Sequence, residues 1–214
     1  MDLEKPIVYL ITSGATTPAS SPGSEDFQRV LVLVRAATEA GIPLIQIREK
    51  NLSARALYLL ALFCVEITRG TGTRLLINDR ADIARAAGAD GCHLTTRSLE
   101  PSAVRSTFGT DFLIGVSTHS LAEARAARVG GADFAVFGPI FDSLSKRAYG
   151  PPLGIEPLRE AARALAPFPL IALGGISVEN APDALRAGAY GIAGIGLFSD
   201  PTNLESTVQA INNG

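Results

Sequence analysis

Five stretches of this chain hold residue types that bind or move charge. The first is Gln46-Ile47-Arg48-Glu49-Lys50. On a strand, alternation turns Gln46, Arg48 and Lys50 to one side, so an amide and two cations converge on one space. That set suits an anionic, hydrogen-bonding ligand; the plainer alternative is a solvated strand end with Glu49 pairing a neighbour. The second is Asn78-Asp79. One carboxylate beside an amide can hold Mg2+ if diphosphate oxygens and water complete the shell, or it can cap a helix without any metal. The third is Ser117-Thr118-His119-Ser120, where His119 is either a general acid/base near neutral pH or a capping and hydrogen-bonding group.

The fourth stretch carries Ser143, Ser145, Lys146 and Arg147 within a long loop, Phe141–Gly154. Two hydroxyls and two cations there suit a second anion or a leaving group, the plainer alternative being an exposed basic loop. The fifth is a set of glycines, Gly174-Gly175 and Gly194-Ile195-Gly196. Glycine lets backbone approach a ligand closely, and a helix start just beyond offers free N–H groups to phosphate, although turn chemistry alone also explains Gly174-Gly175. His93, inside an apolar run, reads as a satisfied buried histidine.

These residues share one placement. Near-continuous apolar runs, the mark of parallel strands covered on both sides, occur at Ile7–Ile11, Leu44–Ile47, Arg74–Ile77, Asp90–Leu94, Leu113–Val116, Phe134–Phe137, Leu170–Leu173 and Gly191–Ile195. Helical patterns alternate with them: Glu25–Ala40, Ser53–Arg69, Asp79–Ala87, Pro101–Thr107, Leu121–Val129, Ile155–Ala166, Val178–Ala187 and Asn203–Ile211. Ser24, Ser53, Ser120 (with Glu123) and Ser177 stand where N-caps are expected, and Gly41, Gly88, Gly130 and Gly188 where helices should stop. The phrases AGIP, AGADG, GGADF and AGAYG recur about two units apart, each leading into an even-numbered strand. Eight such units predict an α/β fold of the (β/α)8 TIM-barrel type, one domain over residues 1–214, with the five stretches at the strand exits where barrels place their sites. The Ser/Thr/Gly/Pro-rich segment Thr12–Ser24 is then the first mouth loop, as a solvated linker or as a lid.

Composition narrows the classes. The 214 residues are 47% hydrophobic and 19% charged, which excludes a disordered chain. The 21 glycines and 13 prolines exclude a coiled coil. A net charge of -2 gives no global field for nucleic acid or an anionic membrane, so neither partner is expected. The apolar run Ala56–Val65 is too short to cross a bilayer, and the first residues do not read as a signal peptide. Cys64 and Cys92 make no disulfide framework or zinc spacing, so a reduced, cytoplasmic protein is expected.

Seven segments in order, QIREK, INDRADIA, DGCHL, IGVSTHS, FGPIFDSLSK, ALGGI and AGAYGIAGIGLF, resemble those of the thiamine phosphate synthase family and its relatives, the thiazole tautomerases. The resemblance spans nearly the whole chain. It implies a (β/α)8 barrel that joins a pyrimidine methyl diphosphate to a thiazole phosphate with Mg2+, the diphosphate ionising before the thiazole nitrogen captures the cation. It implies that Gln46, Arg48, Lys50, Asn78, Ser117 and Lys146 hold the pyrimidine diphosphate, and that Asp79 binds Mg2+. Ser143 and Ser145 fall near the thiazole phosphate, which Gly175, Ile195 and Gly196 would bind through backbone N–H groups. Three departures stand out: Ser98 where a second metal-binding Asp is usual, Gly196 where Ser is usual, and Leu144 for a commonly polar residue. The first implies weak Mg2+ binding or none. The tautomerase branch implies proton transfer through His119, and a ligand-binding paralogue without turnover is a third possibility, whereas Asn78-Asp79 and Lys146 favour the synthase. The expected partners are these two small molecules, with a homodimer as an open option.

Overall fold

A computed structural model describes residues 6–142 and 151–213. Eight strands form a closed parallel barrel in chain order: β1 (Ile7–Ile11), β2 (Leu44–Ile47), β3 (Arg74–Asn78), β4 (Gly91–Leu94), β5 (Leu113–Thr118), β6 (Phe134–Phe137), β7 (Leu170–Leu173) and β8 (Gly191–Gly194). Helices α1 (Glu25–Glu39), α2 (Ala54–Thr68), α3 (Ala81–Ala87), α4 (Pro101–Phe108), α5 (Leu121–Val129), α6 (Ile155–Leu165), α7 (Ala181–Arg186) and α8 (Leu204–Asn213) follow the strands one by one. The expected (β/α)8 architecture is therefore what the chain adopts.

The strands are apolar throughout because each has two buried sides. Ile7, Tyr9, Ile11, Leu44, Leu76, Phe134, Val136, Ile171 and Ala193 fill the barrel interior. The alternate residues, such as Val8, Leu10, Ile45, Ile47, Leu75, Ile77 and Cys92, pack outward with the helices. A helix needs apolar residues three and four apart to cover that layer. In α2 they are Leu57, Leu60, Ala61 and Cys64.

The repeated AGAD and GGAD phrases have a mechanical basis. Asp90 accepts the Leu75 N–H of β3 at 2.8 Å, and Asp133 accepts the Ile114 N–H of β5 at 2.7 Å. Each aspartate thus ties the start of its own strand to the preceding one, with Arg74 and Arg105 completing the clamps. At the corresponding junction before β8 a backbone bond makes the tie to β7, Tyr190 N–H donating to the Leu170 carbonyl at 2.7 Å.

The helix ends differ in part from expectation. Ser53 and Ser120 cap α2 and α5 through their side chains, accepting from Ala56 and Glu123. Ser24 stands at the N-cap of α1, but its hydroxyl serves the Ser21 carbonyl and Asp26 instead. Ser177 is not a cap: α7 starts at Ala181, and the Ser177 N–H donates to Asn180 Oδ1, which closes the turn before the helix. Gly130 keeps right-handed backbone at the end of α5, and the left-handed turn falls on Gly131.

Candidate active site

Five lumen-facing side chains at the upper ends of β1 to β5 form one hydrogen-bonded chain. Gln46 Nε2 donates to Asn78 Oδ1 at 3.0 Å. That orientation turns Gln46 Oε1 to Tyr9, whose hydroxyl donates to it at 3.2 Å. The Tyr9 oxygen then accepts from His93 Nδ1 at 3.1 Å, which fixes the ring proton on Nδ1. Nε2 is left to accept from Ser117 Oγ at 2.9 Å. The two ends of the chain therefore face the mouth with complementary chemistry: the Asn78 amide offers N–H donors and the Ser117 oxygen offers lone pairs.

Burial makes this chain stiff. Gln46 is 1% and His93 2% exposed. Burial pushes the His93 imidazolium down to about 3, so the ring is neutral near pH 7, and it pushes the Tyr9 hydroxyl up. Beneath them Phe134 lies edge-on to Tyr9, with ring centres 5.6 Å apart, and tilted to His93 at 6.1 Å. Gly115 makes room for that plug, since a Cβ there would lie 2.4 Å from the Phe134 ring. His93 is the satisfied buried histidine expected from the sequence, whereas Tyr9 and Gly115 were not foreseen as supports of the site. The one signal was a tyrosine within the otherwise aliphatic IVYLI strand.

Outside this chain lies a cleft of about 290 Å³ lined by Glu49, Lys50, Asn78, Asp79, Arg80, Thr95 and Arg97 among others. Asp79 adopts φ 61, left-handed backbone that a non-glycine residue holds only at a cost, and its N–H donates to the His93 carbonyl at 2.9 Å. Asp79 does not cap α3, where Arg80 takes the N-cap position. Glu49 is 2% exposed and unavailable to a ligand, because its two oxygens accept the Gly14 and Thr16 N–H groups and the Thr16 hydroxyl. It pins the first mouth loop, in which Thr12, Thr16 and Ser20 are buried, so that segment is not a solvated linker. Arg80 is held by both oxygens of Asp82. Among the described residues Asp79 is thus the one carboxylate lining this cleft left to meet a cation. Partial desolvation and then the charge of Arg48 hold the Lys50 ammonium below its ordinary value, with Arg97 adding to them and Asp79 opposing. Among the described residues no three His, Cys, Asp or Glu side chains gather to hold a metal.

The opposite side of the mouth is built of backbone. Ile140 and Phe141 donate to the Leu173 and Gly174 carbonyls, laying the loop after β6 across the end of β7. Gly174 and Gly175 have φ 99 and 63, and a Cβ on Gly175 would fall 2.4 Å from the Asp142 carbonyl oxygen. Ile195 N-caps a 3-10 turn, Gly196–Phe198, whose first N–H groups have no partner within the turn, and Gly196 has open space around it. His119 is exposed at the end of β5; its Nδ1 donates to the Gly138 carbonyl at 2.5 Å and its N–H to Glu123. That leaves Nε2 open, and neither of these His119 bonds joins the His93–Ser117 pair. Arg48 is half-buried, with Nη1 3.4 Å from the Ser13 carbonyl. Ser143, Ser145, Lys146 and Arg147 lie outside the described residues. The structure therefore brings Gln46, Asn78 and Ser117 into one chain, and Lys50, Asn78 and Asp79 into one cleft. Gly175, Ile195 and Gly196 stand at the ends of the neighbouring strands β7 and β8.

The chain is 42% identical over 205 residues to the thiamine-phosphate synthase of Chlorobium luteolum, covering 96% of this chain and 89% of that protein. It is 35% identical over 205 residues to that of Roseiflexus castenholzii, covering 96% and 86%. The solved thiamine phosphate pyrophosphorylase of Pyrococcus furiosus superposes with a TM-score of 0.81 at 27% identity, covering 97% of this chain and 96% of that one. Residues 9–198 match the family described as thiamine monophosphate synthase, and the chain belongs to that family.

Proposed function

We propose that this chain is a thiamine phosphate synthase. It would transfer the pyrimidinylmethyl group of 4-amino-2-methylpyrimidine methyl diphosphate, through its methylene carbon, to the ring nitrogen of a thiazole phosphate and release pyrophosphate. The observation that carries the reading is the coupling of the Asn78–Gln46–Tyr9–His93–Ser117 chain to a cationic cleft, within a chain of that family.

In this reading the pyrimidine sits over the lumen chain. The Ser117 oxygen accepts from the exocyclic amino group, and the amides of Gln46 and Asn78 orient the ring. The diphosphate lies toward Arg48 and Lys50, with Lys146 completing its set of cations. The C–O bond to the diphosphate breaks with its electron pair on the leaving oxygen, and the thiazole nitrogen lone pair then forms the C–N bond. The backbone at Gly175, Ile195 and Gly196, with Ser143 and Ser145, holds the thiazole phosphate so that the nitrogen is already in place.

Asp79 meets the minimum for Mg2+: one free carboxylate in a cleft that diphosphate oxygens and water can complete. The bound ion would offset charge on the departing diphosphate. Asp79 alone would hold it, which makes the metal site depend on the substrate. A cytoplasmic setting goes with the reading and is supported by two buried free cysteines. Among the described residues no helix is long and apolar enough to cross a membrane.

The test is a coupled assay with both substrates, with and without Mg2+. The expected outcome is Mg2+-stimulated release of pyrophosphate matched by thiamine phosphate. No pyrophosphate at saturating substrates overturns the reading. Thiazole isomerisation without Mg2+, abolished in His119→Ala, would replace it with the tautomerase.

A further inference from the structure

The cleft outside the lumen carries more positive charge than its own side chains neutralise. Lys50, Arg80 and Arg97 line it. Arg80 is matched by Asp82, and Glu49 is committed to the first mouth loop. What remains among the described residues is Lys50 and Arg97 against the single carboxylate of Asp79. Among the described residues neither cation has an ion-pair partner.

The position of Arg97 is built by the loop after β4. Ser98 N–H donates to the Thr95 carbonyl at 3.0 Å, and Ser98 Oγ accepts the Thr95 N–H at 2.8 Å. The Arg97 N–H bonds Thr95 Oγ1 at 3.3 Å. This closed turn consumes the Ser98 hydroxyl and presents Arg97, at its third position, along the rim of the cleft. A guanidinium offers paired N–H donors to phosphate oxygens, which an ammonium cannot.

We propose that Arg97 is a diphosphate-binding residue of this chain, facing Lys50 across the cleft and holding the diphosphate of the substrate and the pyrophosphate product. The inference rests on the synthase reading for the identity of the substrate, but not for the anion that the cleft selects. It assigns to a side-chain cation part of the charge neutralisation that Asp79, as a lone metal ligand, supports only weakly. Arg97 would be a binding residue with its effect on KM for the diphosphate substrate, and not on KM for the thiazole phosphate.

The experiment is calorimetric titration of the whole chain with inorganic pyrophosphate, once in chelator and once in Mg2+. It uses the wild type, Arg97→Ala, Arg97→Lys and the remote control Arg159→Ala on the outer surface of α6. Arg97→Ala should weaken pyrophosphate by about fivefold or more in chelator, as expected for a charge-assisted contact. Arg97→Lys should recover part of that loss, and Arg159→Ala should change little. Arg97 is exposed, so its variants should keep the wild-type melting temperature. A smaller loss in Arg97→Ala, an equal loss in Arg159→Ala, or no binding by the wild type overturns the proposal. Binding through Arg97 without pyrophosphate release in the coupled assay would sink the synthase reading and leave the Arg97 site standing. Turnover with undiminished binding in Arg97→Ala would do the reverse.

Discussion

The two sides of the barrel mouth are made by different means. From β1 to β5 the site is side chain: two amides, a phenol, an imidazole and a hydroxyl linked across the lumen and stiffened by Phe134 below. From β6 to β8 it is backbone: loops laid close to strand ends, made possible by glycines whose Cβ would overlap neighbouring carbonyls. Side chains recognise a heterocycle because their donors and acceptors have direction and sign. Backbone N–H groups at a turn recognise phosphate because they are many, fixed and all donors. The contrast predicts that the backbone side is intolerant of added atoms, while the side-chain side is sensitive to protonation and can be retuned.

The largest expected effect is on the backbone side. In Gly175→Ala the new methyl would meet two carbonyl oxygens at 2.4 and 2.6 Å, in a conformation with φ 63. Overpacking plus left-handed strain should cost about 3 kcal/mol in urea denaturation. Gly196→Ala, with nothing within 4 Å, should shift stability by less than about 0.5 kcal/mol. Equal effects at the two positions would break the assignment of Gly175 to the fold and leave ligand approach as its only reason.

The next effect lies in the lumen chain. His93 in the folded chain titrates at about 3, below the ordinary value of about 6.5, so between these limits the unfolded chain binds a proton that the folded chain refuses. Its contribution is fully present above about pH 6.5 and is lost as pH falls toward 3. Stability should therefore drop by about 2 kcal/mol between pH 7 and pH 5 on account of this ring. His93→Asn should unfold with a pH slope smaller by that amount. An identical slope in the variant would mean that His93 ionises freely and the chain is not the stiff element described here.

Much of the fold was legible because parallel barrels write both periodicities plainly: apolar strands, helices with buried residues three and four apart, and a glycine or aspartate at most helix-to-strand junctions. Boundaries moved where local hydrogen bonds outvoted type. Ser177 looks like a cap, yet Asn180 closes the preceding turn and delays α7 to Ala181. In the site, strand alternation correctly placed Gln46 in the lumen. It did not reveal that Tyr9 and His93 join Gln46 to Ser117, because that link crosses from β1 to β4, 84 residues apart. Nor did it show that Glu49, inside the same QIREK segment, serves the first mouth loop. One carboxylate looks like another until its hydrogen-bond donors are in view.

The smallest effect tests how far the side-chain side can be retuned. Ser98 Oγ accepts the Thr95 N–H at 2.8 Å, and an aspartate at this position can accept the same N–H in an Asx turn. Ser98→Asp should therefore leave stability within about 0.5 kcal/mol of the wild type. Its second oxygen would stand beside Arg97, adding a hard oxygen donor to a cleft that has only Asp79 to offer a metal. Two opposite changes follow from that one charge. Pyrophosphate binding in chelator should weaken severalfold, because the new carboxylate engages Arg97, while the Mg2+ concentration for half-maximal synthesis should fall severalfold. A fall in the first without the second would mean that charge, and not coordination, limits the wild-type cleft. The reverse result would mean that Arg97 is too far from the diphosphate to matter. Only the paired outcome supports a cleft in which a guanidinium and a lone carboxylate divide the work that two carboxylates would otherwise do through a metal.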